Sequence, residues 1–598
     1  MITFLKKDPY VFVVLLIALL AGWWLLRPGY FNIHDDLQMM RQLAMEKCFA
    51  DFQIPCRWTQ YMGYGYGFPL FNFYPPLPYL VGEVFRLFQF SFVTTVKLTF
   101  LLSFLISGVT MYIFAREFFG RLGGLVSATF YIWAPYHSVD IYVRGAMNEA
   151  WSLVWLPLIL WASYRLIKSS MPASGPVAGM TGPVAGSSRP TSSRDVAAGA
   201  RRDSLRQRHP SKWIVTLALA WFALLTSHNL MVLIFTPLFL SWLSIWILKY
   251  KSWRSLPNLT ISGVWAFGLA AFFTLPVFLE QKLVHVETLT QGYYEYVAHF
   301  ANIRQLLTSR FWGYGPSAWA DADDKMAFSV GQIHWILASI LIIWLAVKLI
   351  RREKLKGDWV IVSIFFFLAG WFATFMSHVK STFIWQQIPP LLFVQFPWRF
   401  LTLAVLSFSG MVGASAVLLR RWIVFGLIAG VVGWNWQFFK PERMGALTDQ
   451  EKFSGAAWDL QQTAGIYDYL PKDASTAPKA PQKSVADVVS GKGQISDASQ
   501  GSNWAKFKVI QDEDNGKVRI NIFKFPGWKV FIDGRQVQVS TDNDEWGRMH
   551  IDVPKGEYVV TARLYNTPAR TVGNFISLIS WGGIFALGAL TFKRKKQE

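Results

Sequence analysis

The sequence predicts a mainly α-helical, polytopic membrane protein with about 12 transmembrane helices and a small β-domain on the outer face near its C-terminus. Three observations predict it. Of 598 residues, 53% are hydrophobic and 17% aromatic, with 29 Trp and 49 Phe. Only 16% are charged, well under the ~25% of a soluble globular chain, and the mean hydropathy is +0.29. Apolar stretches approaching the ~20 residues that cross a bilayer recur along the chain. Near the C-terminus the pattern changes to apolar–polar alternation broken by turn residues. Wholesale disorder, a collagen-like fibre and a disulfide scaffold are excluded, the last because there are 2 Cys. The net charge of +21 needs no nucleic acid, because positive-inside loops account for it.

The first span, Tyr10 to Leu26, follows Lys6-Lys7 and lacks a small-residue cleavage site, so it reads as a retained helix with a cytoplasmic N-terminus. The others lie at about 93–115, 122–136, 149–167, 213–227, 229–249, 257–279, 331–349, 357–377, 398–418, 421–438 and 573–592. Arg116/Arg121, Lys249/Lys251/Arg254, Arg351/Arg352/Lys354/Lys356, Arg420/Arg421 and Lys593 to Lys596 then all fall on the cytoplasmic side, and so does the C-terminus. The pair flanking Ser227-His228-Asn229 reads as two spans or as a re-entrant hairpin. Residues 1–438 thus form a transmembrane domain, 439–572 an extracytoplasmic β-rich domain, and 573–598 a final helix with a basic cytoplasmic tail. Within the first part, 27–92 is a long outside loop, with Leu77 to Phe88 as an interfacial helix. Segment 168–212 repeats Gly-Pro-Val-Ala-Gly at 175–179 and 182–186 and is too poor in apolar residues to fold alone, so it reads as a disordered cytoplasmic insertion. In the β-rich part, Val518 to Val539 and Met549 to Leu564 alternate, with turns at Pro526-Gly527, Asp533-Gly534 and Pro554-Lys555-Gly556.

An outside loop of about 65 residues calls for a reason. It opens with His34-Asp35-Asp36. The paired carboxylates suit a general base or a divalent-cation ligand set at the membrane surface, since a neighbouring like charge raises a carboxyl pKa. Equally, they suit an N-cap for a helix from Leu37. The run Gly63 to Tyr79, which includes Tyr74 and Tyr79, suits a rigid wall stacking on sugar or lipid faces, with an interfacial aromatic belt as the plainer reading. Cys48 and Cys56 fit a disulfide in an oxidising compartment or two free thiols. In the second outside loop, residues 136–149, Asp140, Arg144 and Glu149 either pair to shape the loop or serve chemistry, Arg144 binding phosphate and the acids joining Asp35/Asp36. Arg399 follows a Pro break into an apolar helix and calls for an anion; His228, like His378, sits at an outer helix end, where packing is the commoner role. The loop 280–330 is long enough to cover a site. No nucleotide-binding glycine signature occurs.

The acidic motif after helix one, the Tyr74-Pro75-Pro76-Leu77-Pro78-Tyr79 segment and the short second loop with Asp140 and Glu149 resemble the GT-C membrane glycosyltransferases, a superfamily that includes protein O-mannosyltransferases and lipid A aminoarabinose transferases. The run from His34 through Cys56-Arg57-Trp58 to Tyr79 is similar to bacterial membrane proteins labelled as 6-pyruvoyl-tetrahydropterin synthase-related. Phe525 to Gly534 before a final span resembles the YfhO-like membrane proteins. The resemblance implies transfer of a sugar from a polyprenyl-phosphate-linked donor to a glycan, lipid or protein acceptor on the outer face of the plasma membrane, in glycan biosynthesis for the cell envelope. Asp35 or Asp36 would deprotonate the acceptor; the chain departs from the Asp-Glu or single Asp of many relatives. Arg144, Arg399 and His228 are the candidates for the donor phosphate, with His34, Asp140, Glu149, Tyr74 and Tyr79 in support. A divalent cation held by Asp35 and Asp36 can share that work; nucleic acid is not an expected partner. The alternative is a non-catalytic scaffold or a transporter for lipid-linked glycans. A transporter would place charges mid-helix and repeat its halves, whereas the ionisable groups here gather at outer helix ends.

Overall fold

The computed structural model describes residues 8–171, 210–318, 325–353, 355 and 357–597, with side chains to residue 587. Most of the expected insertion, 172–209, lies outside the described residues.

All twelve apolar stretches are helical over most of their length, and among the described residues eight helices are long and apolar enough to cross a membrane. The expected pair at 93–115 and 122–136 is two helices within Phe92–Ile132, parted at Gly120 with φ 74, and they fold back on each other: a Cβ on Gly108 would lie 2.6 Å from Ile132 Cδ1 and one on Gly124 2.9 Å from Tyr112. The helix Tyr10–Ala21 has 12 residues and rises about 18 Å at ~1.5 Å per residue. Alone it falls short of a ~30 Å hydrocarbon core. Phe92–Ile132 is the centre of the bundle, with Tyr10–Ala21, Met147–Ser169 and Leu401–Val412 packed on it. It is buried on nearly every side, as a helix apolar all round must be.

The C-terminal region holds two antiparallel sheets. In one the strand order is Gly493–Gln500, Trp504–Gln511, Gly556–Leu564, Trp528–Ile532, Arg535–Val537; in the other, Ala486–Ser490, Gly516–Phe523, Arg548–Val553. Phe507, Val509, Val518, Ile520, Val530, Ile551 and Val560 fill the core. The three strands before residue 512 add to those the alternation predicts. Two of them, Ala486–Ser490 and Gly493–Gln500, show little of the inward-facing apolar pattern. Residues 439–485 contribute no strand to either sheet. They form the short helices Asp449–Lys452 and Gly455–Thr463, joined to the bundle by a two-residue strand pair, Tyr30↔Gly445 and Phe31↔Met444.

The aromatic run of the first loop is neither an open wall nor a belt. Trp58 packs on Phe525 and Trp528, Tyr66 on Phe523 and Trp546, and Phe73 on Tyr469 and Phe525. These rings are buried because the sandwich covers them, and they glue the C-terminal domain to the loop. Cys48 and Cys56 form a disulfide with Cα atoms 5.4 Å apart. The helix Leu77–Leu87 buries Pro78, Tyr79, Gly82 and Glu83 and leaves Val84 and Leu87 exposed, with Phe88 just beyond, the two-faced pattern of an interfacial helix. The 136–149 segment, expected as a loop, is largely the buried helix Pro135–Tyr142. Tyr136, His137 and Asp140 pack inward there, with Arg144 just beyond; Arg144 bonds Asp140 and the Tyr136 hydroxyl, and His137 Nδ1 meets the Tyr131 carbonyl at 3.0 Å.

Candidate active site at one end of the bundle

A cavity of about 690 Å³ lies where the first loop, the helix ends beside it and the 461–469 segment meet. Among the residues lining it are His34, Asp35, Asp36, Tyr74, Arg144, Glu149, His228 and Arg399. Asp140 and Tyr79 do not line it; they stand behind residues that do.

The acidic motif is pinned by its backbone. His34 and Asp35 donate their N–H groups to the carbonyls of Val143 and Arg144, each at 2.9 Å. Gly145 makes this close approach possible: its φ is 63, and a Cβ there would lie 2.5 Å from Ile33 Cδ1. Asp35 is no N-cap, because the helix Gln38–Ala50 starts at Leu37 with no side-chain cap. Its Oδ2 accepts from Arg41 at 2.6 Å and Gln38 at 3.0 Å. Gln38 also donates to the Gly145 carbonyl at 2.7 Å and accepts from the Tyr79 hydroxyl at 2.7 Å. Tyr79 thus orients the amide that holds Asp35. Tyr74 lies under the Arg41 guanidinium at 4.3 Å. Asp36 turns to Lys452, which ion-pairs with its Oδ2. Burial pushes the Asp36 carboxyl up, while Lys452 pulls it back. His34 Nε2 meets the Tyr314 carbonyl at 2.8 Å.

The cavity is also lined by Arg144 and Arg399, and most of that charge is spent internally. Arg144 NH1 bonds Glu149 Oε2 at 2.7 Å and the Tyr136 hydroxyl at 3.1 Å, and pairs with Asp140. Arg144 also stacks over Trp398 at 4.3 Å. Glu149 Oε1 accepts from Tyr136 at 2.8 Å and Thr402 at 2.9 Å. The loop-shaping role of Arg144 is therefore realised. Arg399 is different: NH1 donates to the Val394 carbonyl at 2.7 Å and Gln395 Oε1 at 3.1 Å, and its Nε stays 3.6 Å from Glu149. A carboxylate at that range leaves its N–H without a close acceptor. His228 caps the helix Asn229–Tyr250, its Nδ1 accepting from the N–H groups of Leu230 and Met231 at 3.2 and 3.3 Å. That assigns the ring proton to Nε2, which becomes a donor. His378 is likewise a cap, accepting from Lys380 N–H at 3.2 Å.

Asp35 and Asp36 face separate cations. Among the described residues no three His, Cys, Asp or Glu side chains converge as a metal-ligand set, so the residues present do not fit a divalent cation held by this pair. Sequence reasoning missed Gln38, Arg41, Asn148, Lys452, Asp468 and Tyr469. Gln38 and Arg41 are three apart on one helical face, but Asp35 precedes that helix, so the local pattern does not show that both turn back to it. Asn148 donates to the carbonyls of Pro75 at 2.9 Å and Ser227 at 2.8 Å, joining three segments that no local pattern connects.

No protein-family model matches the chain, and no curated protein matches it. Among solved structures it is similar to ArnT from Cupriavidus metallidurans, a crystal structure bound to undecaprenyl phosphate. The two share 12% identity over 68% of this chain and 77% of that one, with a TM-score of 0.28. At that score the likeness assigns no residue a role.

Proposed function

We propose that this membrane protein is a GT-C-type glycosyltransferase, moving a sugar from a polyprenyl-phosphate-linked donor to an acceptor at the outer face of the plasma membrane. On this reading both termini are cytoplasmic and the C-terminal sandwich is extracytoplasmic. One observation carries the reading: a single cavity is lined both by the carboxylates of Asp35 and Asp36 and by the donors of Arg399 and His228. The reaction needs both kinds of group. A hydroxyl nucleophile must lose a proton, and the leaving phosphate gains charge that fixed N–H donors stabilise. Arg399 is the better phosphate ligand, because Arg144 is already closed on Glu149 and Asp140. Asp35, held by Arg41 and Gln38, and Asp36, held by Lys452, are placed to receive the acceptor. A lipid-linked donor suits a cavity whose lining also includes Val277, Leu230, Leu289 and Phe393.

The test is turnover by the purified full chain in lipid vesicles, offered a panel of radiolabelled polyprenyl-phospho-sugars. Release of polyprenyl phosphate with the label leaving the lipid is expected, and Asp35→Asn or Asp36→Asn should abolish it. Donor binding without consumption would favour the non-catalytic scaffold, and neither binding nor consumption would refute the reading.

A further inference from the structure

The cavity contains a carboxylate that the C-terminal domain supplies. Asp468 lines it with Gly465 and Tyr469, while its neighbours Ile466 and Leu470 are buried in the sandwich core. Asp468 therefore moves with the sandwich. The groups facing it are Tyr294, whose hydroxyl donates to Oδ1 at 3.3 Å, Arg41 and Asp35 across the cavity, and Tyr469 beside it. Arg41 is bonded to Asp35.

The other carboxylates on the cavity wall each have a cation at bonding distance. Asp35 has Arg41, Asp36 has Lys452 and Glu149 has Arg144. Protonating any of these sacrifices an ion pair, which makes them poor proton acceptors. Asp468 has a phenol instead, and among the described residues no cation bridges to it. We infer that, within the glycosyl transfer proposed above, Asp468 takes the proton of the acceptor hydroxyl, while Asp35 and Asp36 are held in their ion pairs to position the acceptor. The acceptor oxygen bonds to the anomeric carbon as the bond from that carbon to the phosphate oxygen breaks. The electron pair of the broken bond leaves on the phosphate beside Arg399. The hydroxyl proton passes to Asp468 Oδ2 and from there to water. Burial, offset in part by Arg41, pushes this carboxyl up to about 6, so at neutral pH it is mostly ionised yet basic enough to serve.

This inference rests on the glycosyltransferase reading, and one experiment separates their failures. The parent, Asp468→Asn and Asp468→Glu are compared in vesicles with a donor from the panel, reading kcat, donor KM and the pH profile from about pH 5 to 9. Asp468→Asn should lower kcat on the order of 10²-fold or more, leave donor KM within about twofold, and remove the fall in rate on the acid side. Asp468→Glu should restore part of the rate with a displaced acid limb. An Asp468→Asn variant with the parental rate and acid limb would overturn the inference while leaving glycosyl transfer standing. So would a rate loss accompanied by loss of donor binding, because that marks a structural role. A parent that consumes no donor overturns both.

Discussion

The C-terminal domain is clamped to the helices through one buried carboxylate, and removing it should be expensive. Glu280 Oε2 accepts from Arg570 Nε and Asn72 Nδ2, each at 2.9 Å, and its Oε1 takes the Thr567 hydroxyl. The side chains of Arg570 and Glu280 are 1% and 5% exposed. Arg57 lies alongside, donating to Asn574 at 2.9 Å and the Phe272 carbonyl at 2.8 Å; burial and then the Arg570 charge push it down to about 9. Glu280→Gln leaves Arg570 buried without its counter-charge beside a second guanidinium, a change that costs about 3–5 kcal/mol. Arg570→Met strips the carboxylate of its partner at a similar cost. Because the two share one interaction, the double variant should fall short of the sum by about 1–3 kcal/mol. The assay is reversible unfolding of the purified chain in mixed detergent, with proteolysis of 440–570 followed in parallel. Additivity within about 0.5 kcal/mol, or a Glu280→Gln cost under about 1 kcal/mol, would refute the clamp.

Three further outcomes are expected. Lys452→Met removes the cation that pulls the Asp36 carboxyl down, so burial raises it further. A carboxyl raised above its unfolded value stabilises the fold at low pH and loses that contribution as pH climbs through the folded value. Heat stability of this variant should thus fall more steeply than the parent's from about pH 4 to 8, and parallel curves would exclude the coupling. Replacing Cys48 and Cys56 by serine reopens a loop with a sequence separation of 8 and should cost about 2–3 kcal/mol in unfolding experiments; an unchanged midpoint would mean the loop is held by other contacts. Arg399→Gln should weaken polyprenyl phosphate binding by about tenfold or more in vesicle flotation, and equal retention would move the phosphate elsewhere.

The helices were legible because lipid leaves few options: a spanning segment must satisfy its own backbone, and apolar runs announce where. Their count was less so, since the helix at Tyr10–Ala21 is short. The acidic motif, Arg144, Glu149, His228 and Arg399 were visible as charges or imidazoles at apolar boundaries. What each faces was not. The sequence reads equally for Asp35 as a cap or a site residue, and only the fold shows that Gln38 and Arg41 occupy it. Of the Gly63 to Tyr79 rings, Tyr66 and Phe73 pack against the C-terminal domain while Phe73 and Tyr74 also line the cavity, and an aromatic run looks alike whether lipid, sugar or another domain covers it. Asp468 and Lys452 lie in a segment with no periodicity, more than 400 residues from the motif they reach, and no local signal connects them.

The charge pattern of the cavity bears on how a phosphate-bearing donor would enter. Asp35, Asp36, Glu149 and Asp468 on the cavity wall are set against Arg41, Arg144, Arg399 and Lys452. Every cation but Arg399 has a carboxylate at bonding distance, and Asp468 has no cation. A donor phosphate beside Arg399 adds negative charge to a site whose carboxylates and cations are already matched in number. That charge disfavours the ionised form of Asp468 and raises its pKa above the resting value of about 6. Binding near neutral pH should therefore take up protons, and donor affinity should rise as pH falls toward 6. Calorimetry of polyprenyl-phospho-sugar binding in buffers of different ionisation heat reads this uptake directly, because the donor's phosphodiester, unlike a phosphate monoester, has no ionisation of its own near pH 6. In Asp468→Asn the uptake should disappear while binding persists, and parental uptake in that variant would assign the proton to Asp36 instead.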